Sequence, residues 1–275
     1  MLTQEHWLSM REIFGDPDAG MPSGPNPEAD AQYARGVTLL ESGDVAAAEK
    51  AFQRADELGH AGAPRELSHW AMARDEGEQW PALLWRARER GDGRAAAIIG
   101  AGIPNEPELA LELLRFADEA GDCEGSRSLG LMLKASGDYD GAEKAFDRSD
   151  QRGSASGSLA LGLFFRDERG DLVDAEAAFN RADRRGHPKG ALNLIDIYVE
   201  RGDLAAADGA RERVLALAAK HATLFGEMQD PDFERYVRGK GTLPAAAAAG
   251  SGCLVALVPV ALVAALALLA LLIVS

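Results

Sequence analysis

The sequence predicts an all-α protein: an α-solenoid of about six helix-turn-helix repeats, followed by one C-terminal transmembrane helix. Three observations carry this. A short apolar-and-alanine pattern recurs along the chain with a period near 32 residues. Alternating Val-, Thr- and aromatic-rich runs are missing, and aromatics make up only 6% of the 275 residues, which argues against a β fold. Finally, the last 35 residues, 241–275, contain no charged side chain.

The opening residues, 1–14, suit an amphipathic helix carrying Trp7, Leu8, Ile13 and Phe14. Residues 15–27 hold four prolines and three glycines and read as a flexible loop.

Residues 28–220 form the repeat region. Ala48-Glu49-Lys50-Ala51-Phe52 returns as Ala142-Glu143-Lys144-Ala145-Phe146 and as Ala175-Glu176-Ala177-Ala178-Phe179. Each copy leads into an Arg-Ala/Ser-Asp triplet, at Arg54-Ala55-Asp56, Arg148-Ser149-Asp150 and Arg181-Ala182-Asp183. Glycines close the units at Gly59, Gly91, Gly121, Gly153 and Gly186, with spacings of 32, 30, 32 and 33. Nine residues beyond them stand Ser68, Gly100, Gly130, Gly162 and Ile195, mostly small. A second mark, Gly-Asp, falls mid-unit at Gly43, Gly137, Gly170 and Gly202. Glycine there can end the first helix, helix A, in the left-handed conformation. The aspartate can cap the second, helix B. Units two and three depart from the pattern: Trp80-Pro81 opens helix B of unit two, and Pro104 ends a short helix A in unit three. No single hairpin can bury its own apolar face, so the units must stack.

The pattern resembles the tetratricopeptide and Sel-one-like repeat family. The resemblance rests on Leu129-Gly130, Leu161-Gly162, Phe165 and Tyr198 in helices A. In helices B it rests on Ala48, Phe52 and Ala55 and on Ala175, Phe179 and Ala182. Pro188 and the junctions ending in His60 and His187 add to it. The resemblance implies a right-handed solenoid whose helix A side chains line a groove that holds a partner peptide or protein. Its register places Tyr33, Val37, Arg65, His69, Arg94, Arg127, Leu131, Lys134, Leu163, Arg166, Lys189 and Asp196 there. Arg65, Arg94, Arg127, Lys134 and Arg166 would make that groove basic, against Glu124 and Asp167, and suited to an acidic peptide or a C-terminal carboxylate. Ordinary solvated helix charges are the plainer alternative.

In the last repeat helix, residues 204–220, Arg211 replaces the expected phenylalanine, which suits a terminal unit whose outer face meets water. Residues 221–240 read as a capping segment and 241–252 as a spacer. From Cys253 to Val274 the chain is apolar, interrupted only by Pro259. These residues suffice to cross a hydrocarbon core of about 30 Å. Their Leu, Val and Ile give an insertion drive on the order of −4 to −8 kcal/mol. Arg235, Arg238 and Lys240 precede the segment and nothing positive follows. With no secretory signal at the N-terminus, the expectation is a single-pass, C-terminally anchored protein whose residues 1–240 face the cytoplasm. The richness in Ala, Gly and Arg suggests a GC-rich bacterial source.

Twenty-nine Lys and Arg against 44 Asp and Glu leave a net charge of −15, which argues against a nucleic-acid partner. Two cysteines exclude a disulfide scaffold, and the five histidines lack metal-ligand spacing. No phosphate loop, nucleophile elbow or Cys-x-x-Cys is present. The three Arg-Gly-Asp triplets, at Arg90, Arg169 and Arg201, fall at helix ends and read as turn punctuation. The sequence therefore predicts no catalytic residue, cofactor or metal. It predicts a membrane-tethered scaffold or adaptor. The alternatives are a self-assembling homo-oligomer that organises a membrane complex and, more distantly, a regulatory subunit of a cell-wall or secretion enzyme.

Overall fold

The computed structural model describes residues 27–74, 79–220 and 237–239. The expected N-terminal helix 1–14, the spacer 241–252 and the transmembrane helix 253–274 lie outside the described residues. So does all of the loop 15–27 except Pro27, and all of the capping segment 221–240 except residues 237–239. Among the described residues no helix is long and apolar enough to cross a membrane.

The described chain folds as six helical hairpins. They are α1 (Pro27–Glu41) with α2 (Val45–Glu57), α3 (Ala63–Ala73) with α4 (Gln79–Glu89), and α5 (Gly93–Gly102) with α6 (Pro107–Glu119). Then come α7 (Cys123–Ala135) with α8 (Tyr139–Gln151), α9 (Ala155–Phe164) with α10 (Leu172–Arg184), and α11 (Pro188–Glu200) with α12 (Leu204–Lys220). Consecutive helices pack on one another along the whole series. The punctuation read from the sequence is real. All five closing glycines and all four mid-unit glycines have φ between 67° and 98°, where any other residue would be strained. Mid-unit aspartates cap helix B: Asp44 accepts from Ala47 N (3.1 Å), Asp138 from Gly141 N (2.9 Å), Asp171 from Asp174 N (3.0 Å) and Asp203 from Ala206 N (3.0 Å). In unit three, helix α5 ends at Gly102, ahead of Pro104, and α6 opens on Pro107.

The core alternates small and large across each hairpin. A Cβ on Gly36, Gly130 or Gly162 would lie 2.7, 2.6 or 2.6 Å from the ring of Phe52, Phe146 or Phe179. The small residue nine places after the closing glycine is thus the seat of the helix B ring. Unit three uses Gly100 against Leu114, and unit two Leu84 in the ring position. In unit six the exchange is reversed: a buried Ile195 occupies the small slot, and Arg211 the ring slot. Arg211 is itself buried and held by Asp208 at 2.5 Å, and Val237 joins the neighbouring core with Val214 and Ala210. This corrects the expectation that Arg211 marks a face open to water. The last repeat is closed to water where Arg211 lies, and Val237 of the following segment packs on the adjoining core.

Unit five carries one more residue between its two glycines than units four and six do (16 against 15). The helix absorbs it as a π-turn, Phe165–Arg169, closed by Asp171 N donating to Phe165 O at 2.9 Å.

Adjacent units are clamped by an aspartate three residues before the closing glycine, in three of four cases that of an Arg-x-Asp triplet. Asp56 accepts from Arg86 and Arg90 (both 2.7 Å). Asp118 accepts from Arg148 and Arg152 and from Ser126. Asp150 accepts from Arg181 (2.7 Å), Arg185 (2.5 Å) and Ser158 (2.6 Å), and Asp183 from Arg213 (2.6 Å). Each aspartate thus holds one or two arginines from helix B of the next unit or from the residue just after it. Between units two and three both sides change together. Arg88 stands in the aspartate slot, Phe116 and Ala120 in the arginine slots, and the Arg88 guanidinium lies over the Phe116 ring at 5.1 Å.

Candidate protein-binding face

The helices A present a row of polar groups at their N-terminal ends. The residue after each closing glycine is His60, Asp92, Asp122, Ser154 or His187, and all five accept a backbone N–H from the first turn that follows. Asp92 takes Ala95 N (2.9 Å), Asp122 takes Gly125 N (2.5 Å) and Ser154 takes Gly157 N (2.9 Å). The two histidines use Nδ1, for Gly62 N and Lys189 N (both 3.2 Å). Their shared junction slot is therefore a capping position.

Two residues further on, the side chains reach across to the cap of the next unit. Arg94 Nε stands 2.7 Å from Asp122 Oδ2. Glu124 Oε1 accepts from Ser154 Oγ at 2.9 Å, and its other oxygen from Arg127 Nε at 2.7 Å. At the first of these junctions the slot holds Gly62, and Arg65 fills the space. Its Nε donates to Asp92 (2.9 Å), one Nη to Glu66 (2.5 Å) and the other to Tyr33 Oη (3.1 Å). His60 stacks on Tyr33 with centroids 4.0 Å apart.

This geometry corrects the expected open basic groove. Arg65 is 2% exposed and Tyr33 6%; both belong to the interior, because three acceptors around Arg65 compensate its desolvation. Arg94, Arg127 and Lys134 face Asp122, Glu124 and Glu168, each at 2.7 Å. Arg166 reaches Asp167 and Asn193, both at 2.6 Å, and lies over the Phe179 ring. Val37 and Leu163 are half-buried against the first and last cores. Leu131 is 46% exposed, Asp196 is exposed, and His69 and Lys189 are half-buried. His69, Ala101, Leu131, Leu163 and Asp196 share one position in successive units, ten residues past the closing glycine. They form a strip along the helix A face that is uncharged at its middle.

Burial sets the protonation along the row. It pushes the Asp122 carboxyl up, against Arg94 and the Gly125 N–H, and raises the Cys123 thiol, so that thiol stays protonated and inert. It lowers His69 despite Glu66. It also lowers Lys189, and it takes His187 down to about 3, with Lys189 and Arg127 adding to the effect. Among the described residues no group of three or more His, Cys, Asp or Glu is placed to hold a metal. The row residues Glu66, Asp92, Asp122, Ser154, Ser156 and His187 were not legible as a set. The signal was there in the residue following each closing glycine.

No family model matches the chain, and no curated protein matches it. Solved structures do. An immunity protein from Pseudomonas aeruginosa aligns with a TM-score of 0.60 at 18% identity, over 75% of this chain and 87% of that one. A Sel1 repeat protein from Oxalobacter formigenes aligns at 0.54 and 16%, over 80% and 99%. PilF of Pseudomonas aeruginosa aligns at 0.53 and 18%, over 74% and 96%. At these identities the likeness speaks to architecture, and the architecture is the tetratricopeptide-like helical repeat fold.

Proposed function

We propose that the protein is a protein-interaction scaffold, tethered to a membrane by residues 253–274, whose helix A face holds a segment of a protein partner. The observation that carries this is the strip through Ala101, Leu131 and Leu163. Its flanking cations Arg127, Lys134 and Arg166 are tied to carboxylates or amides of the protein itself. Leu131 meanwhile stays 46% exposed. A stacked-repeat surface with its charges internally matched and an apolar strip left open fits a docked helix or extended peptide. The tether rests on the uncharged run 241–275 and the basic residues before it. It raises the local concentration of the scaffold near membrane partners. The presence of an immunity protein among the structural neighbours accords with a binding role.

The test is capture from solubilised membranes with full-length protein as bait. Leu131→Asp should abolish recovery of the partner while leaving the helical content and melting temperature in place. Undiminished recovery would move the binding surface off this face.

A further inference from the structure

The row of cross-junction contacts breaks at its last step. Arg94 meets Asp122 and Glu124 meets Ser154, each reaching from one unit to the cap of the next. The same slot in unit five holds Ser156, which by that repeat geometry faces the cap of unit six, His187. Ser156 is 7% exposed, and its hydroxyl makes no hydrogen bond. His187 accepts Lys189 N–H at Nδ1, so the neutral ring carries its proton on Nε2 and offers a donor. Lys189 is half-buried and partly desolvated, and its ammonium has no carboxylate partner among the described residues. Arg127 lies near enough to His187 to depress its basicity.

By repeat position the step sets a hydroxyl opposite a ring N–H, with the Lys189 ammonium and the Arg127 guanidinium near enough to act on that ring. The carboxylate bound to that guanidinium, Glu124, already accepts from Arg127 and Ser154 through its two oxygens. A buried hydroxyl without a partner in one unit, and an unmatched ammonium at the same position of the next, are costly unless an acceptor arrives. The local charge is one unit positive: Lys189 and Arg127 against Glu124. That matches a single carboxylate better than a phosphate dianion.

We propose that the Ser156–His187–Lys189 step is a carboxylate-binding site, which takes an acidic side chain of the partner polypeptide at the C-terminal end of the helix A face. This deepens the scaffold reading and rests on it. The partner segment would carry an acidic residue just beyond the apolar residues that cover Leu131 and Leu163.

The experiment uses full-length protein in detergent micelles with its histidines 13C-labelled. The probes are capped hexaglutamate and, at equal carboxylate concentration, sodium acetate. Hexaglutamate should shift the His187 ring signal saturably. Lys189→Gln should weaken its binding about tenfold, and Ser156→Ala, which removes a hydroxyl bonded to nothing, severalfold with the fold intact. Lys134→Gln should leave it unchanged. A His187 signal that does not move, or moves equally in Lys189→Gln, overturns the site. Acetate binding as tightly as hexaglutamate overturns its assignment to a polypeptide. Loss of capture in Leu131→Asp alongside a silent His187 would defeat this site alone. Normal capture in Leu131→Asp with a responsive His187 would defeat the apolar strip alone.

Discussion

Replacing Asp150 by asparagine should loosen the junction between units four and five. The carboxylate is 4% exposed and accepts from Arg181, Arg185 and Ser158 at 2.5–2.7 Å. Burial alone would push its pKa up. The hydrogen bonds from Arg181, Ser158 and Arg185 and the Arg181 charge outweigh that and hold it below the usual 3.8. Breaking a fully buried ion pair costs about 3–5 kcal/mol. Here the two arginines are about one third exposed, so water recovers part of the loss, and about 2–3 kcal/mol is expected. For a folded region of this size that is a fall of about 5–10 °C in melting temperature. The assay is urea and thermal unfolding of the chain in mild detergent, followed by helical circular dichroism, beside Asp140→Asn. Asp140 also pairs with Arg169, but it is exposed, and its loss should leave the melt unmoved. The sign with pH is fixed. A carboxyl with a depressed folded pKa contributes fully above 3.8, and the contribution fades as pH falls through the folded value. The gap between wild type and Asp150→Asn should therefore be constant from pH 7 to 5 and narrow below 3.8. Equal melts for wild type and Asp150→Asn at pH 7 would refute the clamp.

Other expectations follow from single contacts. Gly162→Ala places a methyl 2.6 Å from the Phe179 ring. It should cost about 1 kcal/mol net in a urea melt, overpacking outweighing the gain in helix propensity, whereas Gly102→Ala, with nothing within 4 Å, should not destabilise. His187 has a folded pKa of about 3 against an ordinary 6.5, so the unfolded chain protonates first. Stability is complete above about 6.5 and declines toward pH 3. Relative to His187→Asn, which keeps an acceptor at the cap, wild type should lose on the order of 1–2 kcal/mol between pH 7 and 5; parallel curves would contradict it. Ending the chain at Gly241 should move the protein from the membrane fraction to the soluble one. In intact cells or spheroplasts the full-length form should resist external protease; cleavage from outside would invert the topology.

The hairpin period was legible because it is written in backbone constraints. A positive-φ glycine and the aspartate behind it announce a turn and a cap without reference to any distant residue. The Gly130–Phe146 and Gly162–Phe179 seats were visible as a small slot and an aromatic slot, though not as partners. The clamps were half visible. The Arg-x-Asp triplets stood out, but their bonds join residues 30–35 apart in sequence, and only the stacking of units shows that Asp150 answers to Arg181 and Arg185. Arg65 was misplaced for a related reason. A lone charge on a helix A face reads as solvated, and its acceptors Asp92 and Tyr33 come from the units on either side. Arg211 was read as a surface residue because it broke an aromatic pattern, whereas the pattern had been exchanged with Ile195. The π-turn was encoded in a single extra residue between Gly153 and Gly170.

The most direct measurement is site-specific photo-cross-linking of full-length protein in native membranes, with a benzophenone side chain at Leu131 and, separately, at Val173. Val173 is 70% exposed in the first turn of helix α10, away from the strip. The account predicts a discrete adduct with another protein from Leu131 and none from Val173. An adduct from Val173 alone would contradict the binding face. A Leu131 adduct made only of two copies of this chain would replace the scaffold by a self-assembling protein.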